Sequence, residues 1–234
     1  MFKKLFALMV ITAAFTAQIA AAKDLSEARV REIVEQYIKE NGGVVAASVD
    51  TYLAEERNAR AAALVKPETP VFGAKNGQIS VIEFSDYRCG FCRRVQETMT
   101  KLRDEYGERV TFAFKAMPIL SQESEDAAVA ALAAHRQGKF WEFDEGLWEN
   151  QSRLGSDLFL EIAKKIGLDM KRFERDLKDP TLLAQVATDR QEGQNFGAEG
   201  TPFFLINGEA FGGAQPYENF VRAIDAALAS TDKG

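Results

Sequence analysis

The sequence is poor in the residue types that hold metal ions, with two cysteines and a single histidine among 234 residues. A closed zinc site usually takes four ligands, mostly cysteine and histidine, so this inventory is one ligand short and predicts no metal centre. The histidine, His135, stands in the alanine-rich stretch 126–137 and is interpreted as a position on a helix. The chain also lacks an excess of positive charge, because 29 basic residues face 35 acidic ones, a net charge of −6. Bulk charge therefore favours no nucleic-acid partner.

The sequence also lacks a long apolar run. The longest, Leu5 to Ala17, is shorter than the roughly 20 residues that an ordinary membrane-spanning helix needs. It follows Lys3-Lys4 and precedes Ala20 to Ala22, which together form the pattern of an export signal. We therefore expect a signal peptide over residues 1–22, cleaved near Lys23, with an uncleaved anchor as the alternative. Removing the two lysines leaves 27 basic and 35 acidic residues, a net charge of −8.

Both cysteines lie in one short stretch, where Cys89 and Cys92 are separated by two residues. A β-rich apolar run, Ile79 to Phe84, precedes them, and a run compatible with a helix, Arg93 to Tyr106, follows. This order places the first sulfur at the N-terminus of a helix, where free N–H groups and the helix dipole stabilise a thiolate. A disulfide that closes so short a loop adds little stability. The pair therefore predicts thiol–disulfide exchange rather than a structural cross-link.

Glu83 is unusual for the strand that leads into the cysteines. Alternation puts it on the same face as Ile79 and Val81, so it is buried if the strand is central and covered on both sides. Burial would raise the pKa of its carboxyl, which suits a group that exchanges protons with nearby sulfurs. The alternative is an exposed glutamate at the end of the strand.

The N-terminal part of the mature chain, residues 23–65, predicts two helices. Asn41-Gly42-Gly43 is expected to end the first, and the second continues from Val44 to Leu64. Two such helices cannot bury their apolar stripes alone, so they either self-associate or dock on the rest of the chain. Residues 66–70, with two prolines, are expected to form a linker. The first stripe consists of Val30, Ile33, Val34, Tyr37 and Ile38.

The rest of the chain, residues 71–234, predicts a single α/β domain. Its order is two strands, the helix that follows the cysteines, a third strand, a helical insertion over residues 120–197, two strands and a final helix. The β-α-β spacing implies parallel pairing of the second and third strands. Trp141 and Trp148, in the insertion, are interpreted as packing residues.

These motifs together resemble the DsbA-type branch of the thioredoxin superfamily, over about Val71 to Ala229. The resemblance rests on a strand that enters CxxC at a helix start, a helical insertion, and Gly200-Thr201-Pro202 before a strand, hairpin and helix. The leading helices and the Cys-Gly-Phe-Cys sequence are more similar to the oligomeric, periplasmic isomerase-like members, including the ScsC group. The implied fold class is α/β: a thioredoxin-like fold with a DsbA-type helical insertion, preceded by an N-terminal helical oligomerisation segment.

The resemblance implies a role for each matching position. Cys89 would be the attacking thiolate and Cys92 the buried resolving thiol. Glu83 matches the family's buried acidic proton relay. Pro202 matches its cis-proline, which packs against the active-site sulfurs, and Thr201 beside it contacts substrate.

The dipeptide between the cysteines, Gly90-Phe91, departs from the Pro-His of the strongly oxidising member. The histidine that stabilises the reduced state of that member is absent. We therefore expect a reduction potential between about −120 mV, the value of that oxidant, and about −270 mV, the value of thioredoxin.

The sequence thus predicts a periplasmic thiol–disulfide isomerase or reductase that requires no cofactor. Its expected substrates are unfolded or misoxidised exported proteins. We also expect a membrane partner, more similar to the reductant DsbD than to the oxidant DsbB, and a homo-oligomer, either dimer or trimer. Two alternatives remain open: a DsbA-like oxidase that introduces disulfides, and a non-enzymatic holdase or adhesion protein.

Overall fold

The computed structural model describes residues 26–231, which form two compact units with their boundary after Leu53. The expected signal peptide, residues 1–22, lies outside the described residues. Among the residues described, no helix combines the length and the apolar character needed to cross a bilayer.

The first unit consists of α1, Glu27–Glu40, and the N-terminal part of α2, Gly42–Ala62. The hydroxyl of Ser26 caps α1 by accepting a hydrogen bond from the N–H of Arg29. Helix α1 ends before Asn41, as expected, but the two glycines belong to the start of α2 rather than to a loop. No residue of α1 is buried, so its whole apolar stripe is exposed.

The second unit is built on a five-stranded sheet in the order β1-β3-β2-β4-β5. Strands β2 and β3 are parallel, as predicted, and the other neighbours are antiparallel. β2 lies at the centre because it pairs with β3 on one side and with β4 on the other. The strands are β1 Val71–Gly73, β2 Ile79–Ser85, β3 Val110–Ala116, β4 Phe203–Ile206 and β5 Glu209–Gly212.

Seven helices accompany this sheet, and five of them form the insertion between β3 and β4. Alternate residues of β2 face opposite sides: Val81 packs with residues of α3 and α9, whereas Phe84 packs in a separate cluster with Met117 and Ala61. Together with the element order, this arrangement confirms the predicted thioredoxin-like fold class. The helices are α3 Gly90–Tyr106, α4 Gln122–His135, α5 Phe140–Glu149, α6 Ser156–Lys165, α7 Met170–Asp176, α8 Pro180–Asn195 and α9 Tyr217–Thr231.

Residues 66–70, the expected linker, belong to the second unit and make specific contacts within it. Thr69 is buried, and its hydroxyl accepts a hydrogen bond from the N–H of Lys66 at 3.0 Å. The ammonium group of Lys66 lies 2.7 Å from Glu192, on α8. The chain between α2 and β1 is therefore held against the insertion.

Candidate active site

Cys89 lies at the N-cap of α3, four residues after the end of β2. Its sulfur accepts a hydrogen bond from the N–H of Cys92 at 3.3 Å. Cys89 is 6% exposed and Cys92 is fully buried, and no disulfide joins them. The first sulfur thus occupies the position at the helix N-terminus where backbone donors favour a thiolate.

The two thiols have opposite electrostatic environments. The hydrogen bond with the Cys92 side chain, the contact with Thr201 and the N–H groups of Cys92 and Phe91 lower the pKa of Cys89 to about 5, although burial acts against them. Burial and the neighbouring sulfur of Cys89 raise the pKa of Cys92. At neutral pH one sulfur is therefore an anion and the other a protonated thiol.

Thr201 and Pro202 lie directly beside the first sulfur. The Thr201–Pro202 peptide bond is cis, the conformation that the family resemblance implies. The carbonyl oxygen of Thr201 lies 3.3 Å from the sulfur of Cys89. Strand β4 begins at Phe203 and pairs with Phe84 of β2, so the antiparallel register brings this loop to the cysteines.

Glu83 is buried on β2, which excludes the alternative of an exposed glutamate at the strand end. Its carboxylate accepts a hydrogen bond from the Gln96 side chain at 2.9 Å, and the same nitrogen lies 3.3 Å from the carbonyl oxygen of Cys92. Burial raises the pKa of Glu83, and the hydrogen bond from Gln96 acts against that rise. Gln96 therefore connects the carboxylate to the backbone of Cys92.

Three polar residues that sequence reasoning missed also hold the site. The Gln151 side chain donates to the carbonyl oxygens of Tyr87, at 2.9 Å, and Cys89, at 3.0 Å. The Tyr87 hydroxyl donates to the buried carboxylate of Asp144 at 2.8 Å. Burial raises the pKa of Asp144 to about 7. Gln151 and Asp144 come from the insertion, so its fold fixes the loop that carries the nucleophile.

Asp86, in the loop between β2 and Cys89, connects this loop to other segments by hydrogen bonds. Its carboxylate accepts hydrogen bonds from the N–H groups of Arg88, Ile119 and Leu120 and from the Ser124 hydroxyl, at 2.6–3.0 Å. A buried carboxylate with four donors is well satisfied. It joins the cysteine loop to the loop after β3.

Gly90 and Phe91, between the cysteines, are both exposed, and Phe91 is 58% exposed. A Cβ atom at Gly90 would meet no other atom within 4 Å. The aromatic ring of Phe91 lies beneath the guanidinium group of Arg94, with 4.2 Å between the ring centroid and Cζ.

The other residues singled out from the sequence lie in the insertion. His135 is the last residue of α4 and packs edge-on against Phe140. Trp148 is buried and donates to Asp144, and Trp141 donates to the carbonyl oxygen of Val71. Within residues 26–231, no group of three histidine, cysteine or acidic side chains is placed to hold a metal ion.

Comparisons with known proteins agree with this fold. A family model described as thioredoxin matches residues 65–226, more than half of the chain. A thioredoxin-like oxidoreductase from Silicibacter pomeroyi DSS-3 is 33% identical, with a TM-score of 0.66 over 70% of this chain and 94% of that one. A linker-deletion mutant of Proteus mirabilis ScsC, 21% identical, shares the fold with a TM-score of 0.66 over 88% of this chain and 98% of that one.

A match among curated proteins is the Na(+)/H(+) antiporter NhaA 1 of Mycobacterium sp. (strain KMS), 29% identical over 171 residues. The match covers 70% of this chain but 28% of that protein, so the chain spans about a quarter of the length of such relatives. The family model and the fold confirm the resemblance drawn from the sequence. The chain belongs to the thioredoxin family.

Proposed function

We propose that this chain is a periplasmic thiol–disulfide isomerase or reductase that attacks non-native protein disulfides through Cys89. The observation that carries the exchange step of this proposal is the contrast between the two thiols. The pKa of Cys89 is lowered to about 5 by its hydrogen bonds, whereas burial raises the pKa of Cys92. The first is ready to attack at neutral pH, and the second stays protonated until it is needed.

In the proposed reaction the Cys89 thiolate attacks one sulfur of a substrate disulfide. A bond forms between the two sulfurs, and the other substrate sulfur leaves as a thiolate that takes a proton from solvent. In reshuffling, that thiol loses its proton to solvent again and attacks another disulfide of the substrate, and a substrate thiolate finally attacks the mixed disulfide and releases Cys89 as a thiolate. In reduction, Cys92 loses its proton towards Glu83 and attacks Cys89, which releases the substrate thiolate and leaves a Cys89–Cys92 disulfide.

Three residues support the direction of this reaction. Gly90-Phe91 supplies no histidine to stabilise the reduced state, and the family resemblance links threonine before the cis-proline, here Thr201, with isomerases. A membrane reductant of the DsbD kind would keep the pair reduced, and misoxidised exported proteins would be the substrates.

We further propose that the chain is a homo-oligomer, a dimer or a trimer, assembled through residues 24–64. The exposed apolar stripe of α1 supports this, because five large apolar side chains on one helix face favour burial against another surface. Replacing Ile33 and Tyr37 together by glutamate should lower the molar mass measured by light scattering to that of the monomer. The matched control replaces Arg31 and Lys39, on the charged face, and should leave the mass unchanged.

Recovery of activity from a scrambled, fully oxidised protein tests the isomerase assignment. The reduced wild-type chain should restore native disulfides catalytically, and Cys89→Ser should abolish this activity. Cys92→Ser should retain reshuffling while mixed disulfides accumulate, because it cannot use the reductive escape. A wild-type chain that oxidises thiols but cannot reshuffle disulfides would refute the assignment.

A DsbA-like oxidase is the second candidate, and the low pKa of Cys89 favours it. With a pKa of about 5, ionisation stabilises the reduced form at pH 7 by about 2.7 kcal/mol, or about 60 mV for two electrons. Equilibration with glutathione measures the potential directly. A reduction potential of about −120 mV would favour the oxidase. A potential midway between about −120 mV and about −270 mV would favour the isomerase.

A further inference from the structure

Three arginines surround the two cysteines in a chain that is acidic overall. Arg88 comes directly before Cys89, and Arg93 and Arg94 come directly after Cys92. All three are exposed. The net charge of the whole chain is −6, so this concentration of positive charge is local to the active site.

The helix geometry places Arg93 close to the nucleophile. It lies four residues after Cys89, and residues at that spacing share one face of a helix. Its side chain also leans towards the N-terminus of α3, because side chains on a helix tilt in that direction. The Arg93 guanidinium group makes no hydrogen bond or ion pair with any of residues 26–231, and that of Arg88 only acts at longer range on Glu123.

Arginines at this end of a helix are unfavourable for the helix itself. The N-terminus carries the positive end of the dipole and favours acidic side chains. Helix α3 has no acidic residue in its first turn and has Arg93 and Arg94 immediately after it. Departures from local preference at a reactive site indicate a use for those side chains in function.

Apolar side chains accompany these charges. Phe91, Ile119 and Leu120 are 58%, 42% and 56% exposed. The Asp86 carboxylate holds the N–H groups of Ile119 and Leu120 at 2.8 and 3.0 Å, which keeps their loop beside the cysteine loop. A partner segment at Cys89 therefore meets both cationic and apolar groups.

We propose that this surface selects disulfide-bonded segments in which acidic residues and an apolar residue flank the target cysteine. Arg88 and Arg93 bind the carboxylates, and Phe91, Ile119 and Leu120 contact the apolar side chain. The inference rests on the proposed exchange function and names its substrate class. Cys89 forms a bond to the peptide sulfur, and the displaced thiolate leaves with the electron pair and takes a proton from solvent.

The test uses three short peptides, each with one cysteine linked to glutathione and one leucine nearby. They differ only at four flanking positions, which hold glutamate, glutamine or lysine. The rate at which the full reduced chain releases glutathione is measured at 20 mM and 500 mM salt. At low salt the glutamate peptide should react about fivefold faster than the glutamine peptide, and the lysine peptide slower, because a few charge pairs near a surface contribute about 1 kcal/mol. High salt should remove most of the difference.

The Arg88→Gln/Arg93→Gln variant should bring the glutamate-to-glutamine rate ratio close to one. The matched control is Arg190→Gln, an exposed arginine on α8, and it should keep the wild-type ratio. Circular dichroism verifies that the variants are folded.

Equal rates for the glutamate and glutamine peptides in the wild-type chain would overturn the proposal. So would an equal loss of rate with all three peptides in the double variant, since that result assigns the arginines to Cys89 itself. A reduced ratio in Arg190→Gln would assign the effect to total charge and also overturn it. The assay measures one exchange step, so it succeeds or fails independently of whether the chain reshuffles scrambled proteins.

Discussion

Strands β2 and β3 have buried ionisable side chains near both faces of the sheet, but the two faces stabilise these side chains differently. On the face of Glu83, the buried groups are acids that are held by hydrogen bonds from neutral donors. Gln96 donates to Glu83, and Tyr87 and Trp148 donate to Asp144. Burial raises the pKa of both carboxyls, that of Asp144 to about 7.

On the other face the buried charge is neutralised by ion pairs. The ammonium group of Lys115, which is 2% exposed, lies 2.8 Å from Asp189 and 2.7 Å from Glu192. Lys115 is paired in register with Phe84, the residue after Glu83, and so points to the opposite side of the sheet. Burial acts to raise the pKa of Glu192, but hydrogen bonds from Lys115 and Lys66 lower it overall.

The difference separates a structural cluster from a proton-exchanging one. The ion pairs join β3 to α8, and without Lys115 the carboxylate of Asp189 would be buried with no cation beside it. Burial also raises the pKa of Asp189, and Lys115 acts against that rise. The acids near the cysteines, Glu83 and Asp144, form no such ion pair with any described residue, and the charge of Arg103 acts on both only at longer range. A carboxyl whose pKa is raised by burial can gain or lose a proton during a reaction. The chain therefore places carboxyls without an ion-pair partner beside the thiols, which change protonation, and ion-paired side chains where α8 packs on β3.

The largest effect is expected for Lys115→Met, which should destabilise the fold by about 4 kcal/mol. The substitution leaves the buried Asp189 without a cation, whereas Glu192, which is partly exposed, keeps its contact with Lys66. Urea unfolding at pH 7 measures the loss, and the rate of Cys89 alkylation should not change. A loss below about 1 kcal/mol, or an altered Cys89 rate, would contradict the structural assignment.

Asp144→Asn should change the free energy of unfolding in the opposite direction to Lys115→Met, and the size of this change should depend on pH. The pKa of Asp144 is raised from 3.8 to about 7, so the folded chain keeps a proton that the unfolded chain has lost between these values. Stability from this group therefore falls as the pH rises through that window. The variant lacks this loss, and its stability relative to wild type should rise by about 3 kcal/mol from pH 4 to pH 8.

Urea unfolding at pH 4, 6 and 8 measures this change, with Asp157→Asn as the exposed control. A stability difference that stays constant across the three pH values would show that Asp144 is ionised throughout. In that case the contrast between the two faces would be wrong.

Much of this arrangement could be predicted from the sequence, for physical reasons that act locally. Alternation along Ile79 to Ser85 predicts the side of Glu83, and the CxxC spacing at a helix start predicts the position of Cys89. These signals depend on residues close together in the chain. The burial of Glu83 and the capped position of Cys89 agree with them.

The partners from the insertion could not be predicted in this way. Asp144 lies 57 residues after Tyr87, and Gln151 lies 62 residues after Cys89. Neither belongs to a local motif, because their contacts depend on how α5 and the turn after it pack beside the sheet. In the sequence Lys115 is a single charged residue within a predicted strand. Its ion-pair partners lie 74 and 77 residues further along the chain, so they could not be predicted either.

Glu83→Gln should have a smaller effect, which concerns the rate at which a mixed disulfide is released. If Glu83 receives the proton of Cys92, its loss should slow release of a trapped mixed disulfide by about 10²-fold at pH 7, the usual contribution of a general base. The first step, attack by Cys89, should be unaffected because that sulfur is already ionised. Single-turnover measurements with a peptide bound to Cys89 separate the two steps, and equal slowing of both would point to a structural role.

Lys66→Met should have the smallest effect on stability. It tests whether the exposed and the buried lysine of the ion-pair cluster differ in their contribution. Lys66 also contacts Glu192, at 2.7 Å, but its side chain is 38% exposed, against 2% for Lys115. An exposed ion pair contributes about 0.5 kcal/mol, and salt screens it. We therefore expect urea unfolding to show a loss below about 1 kcal/mol that shrinks at 500 mM salt. A loss of stability as large as that of Lys115→Met would mean that the exposed Lys66 and the buried Lys115 contribute equally to the ion-pair cluster.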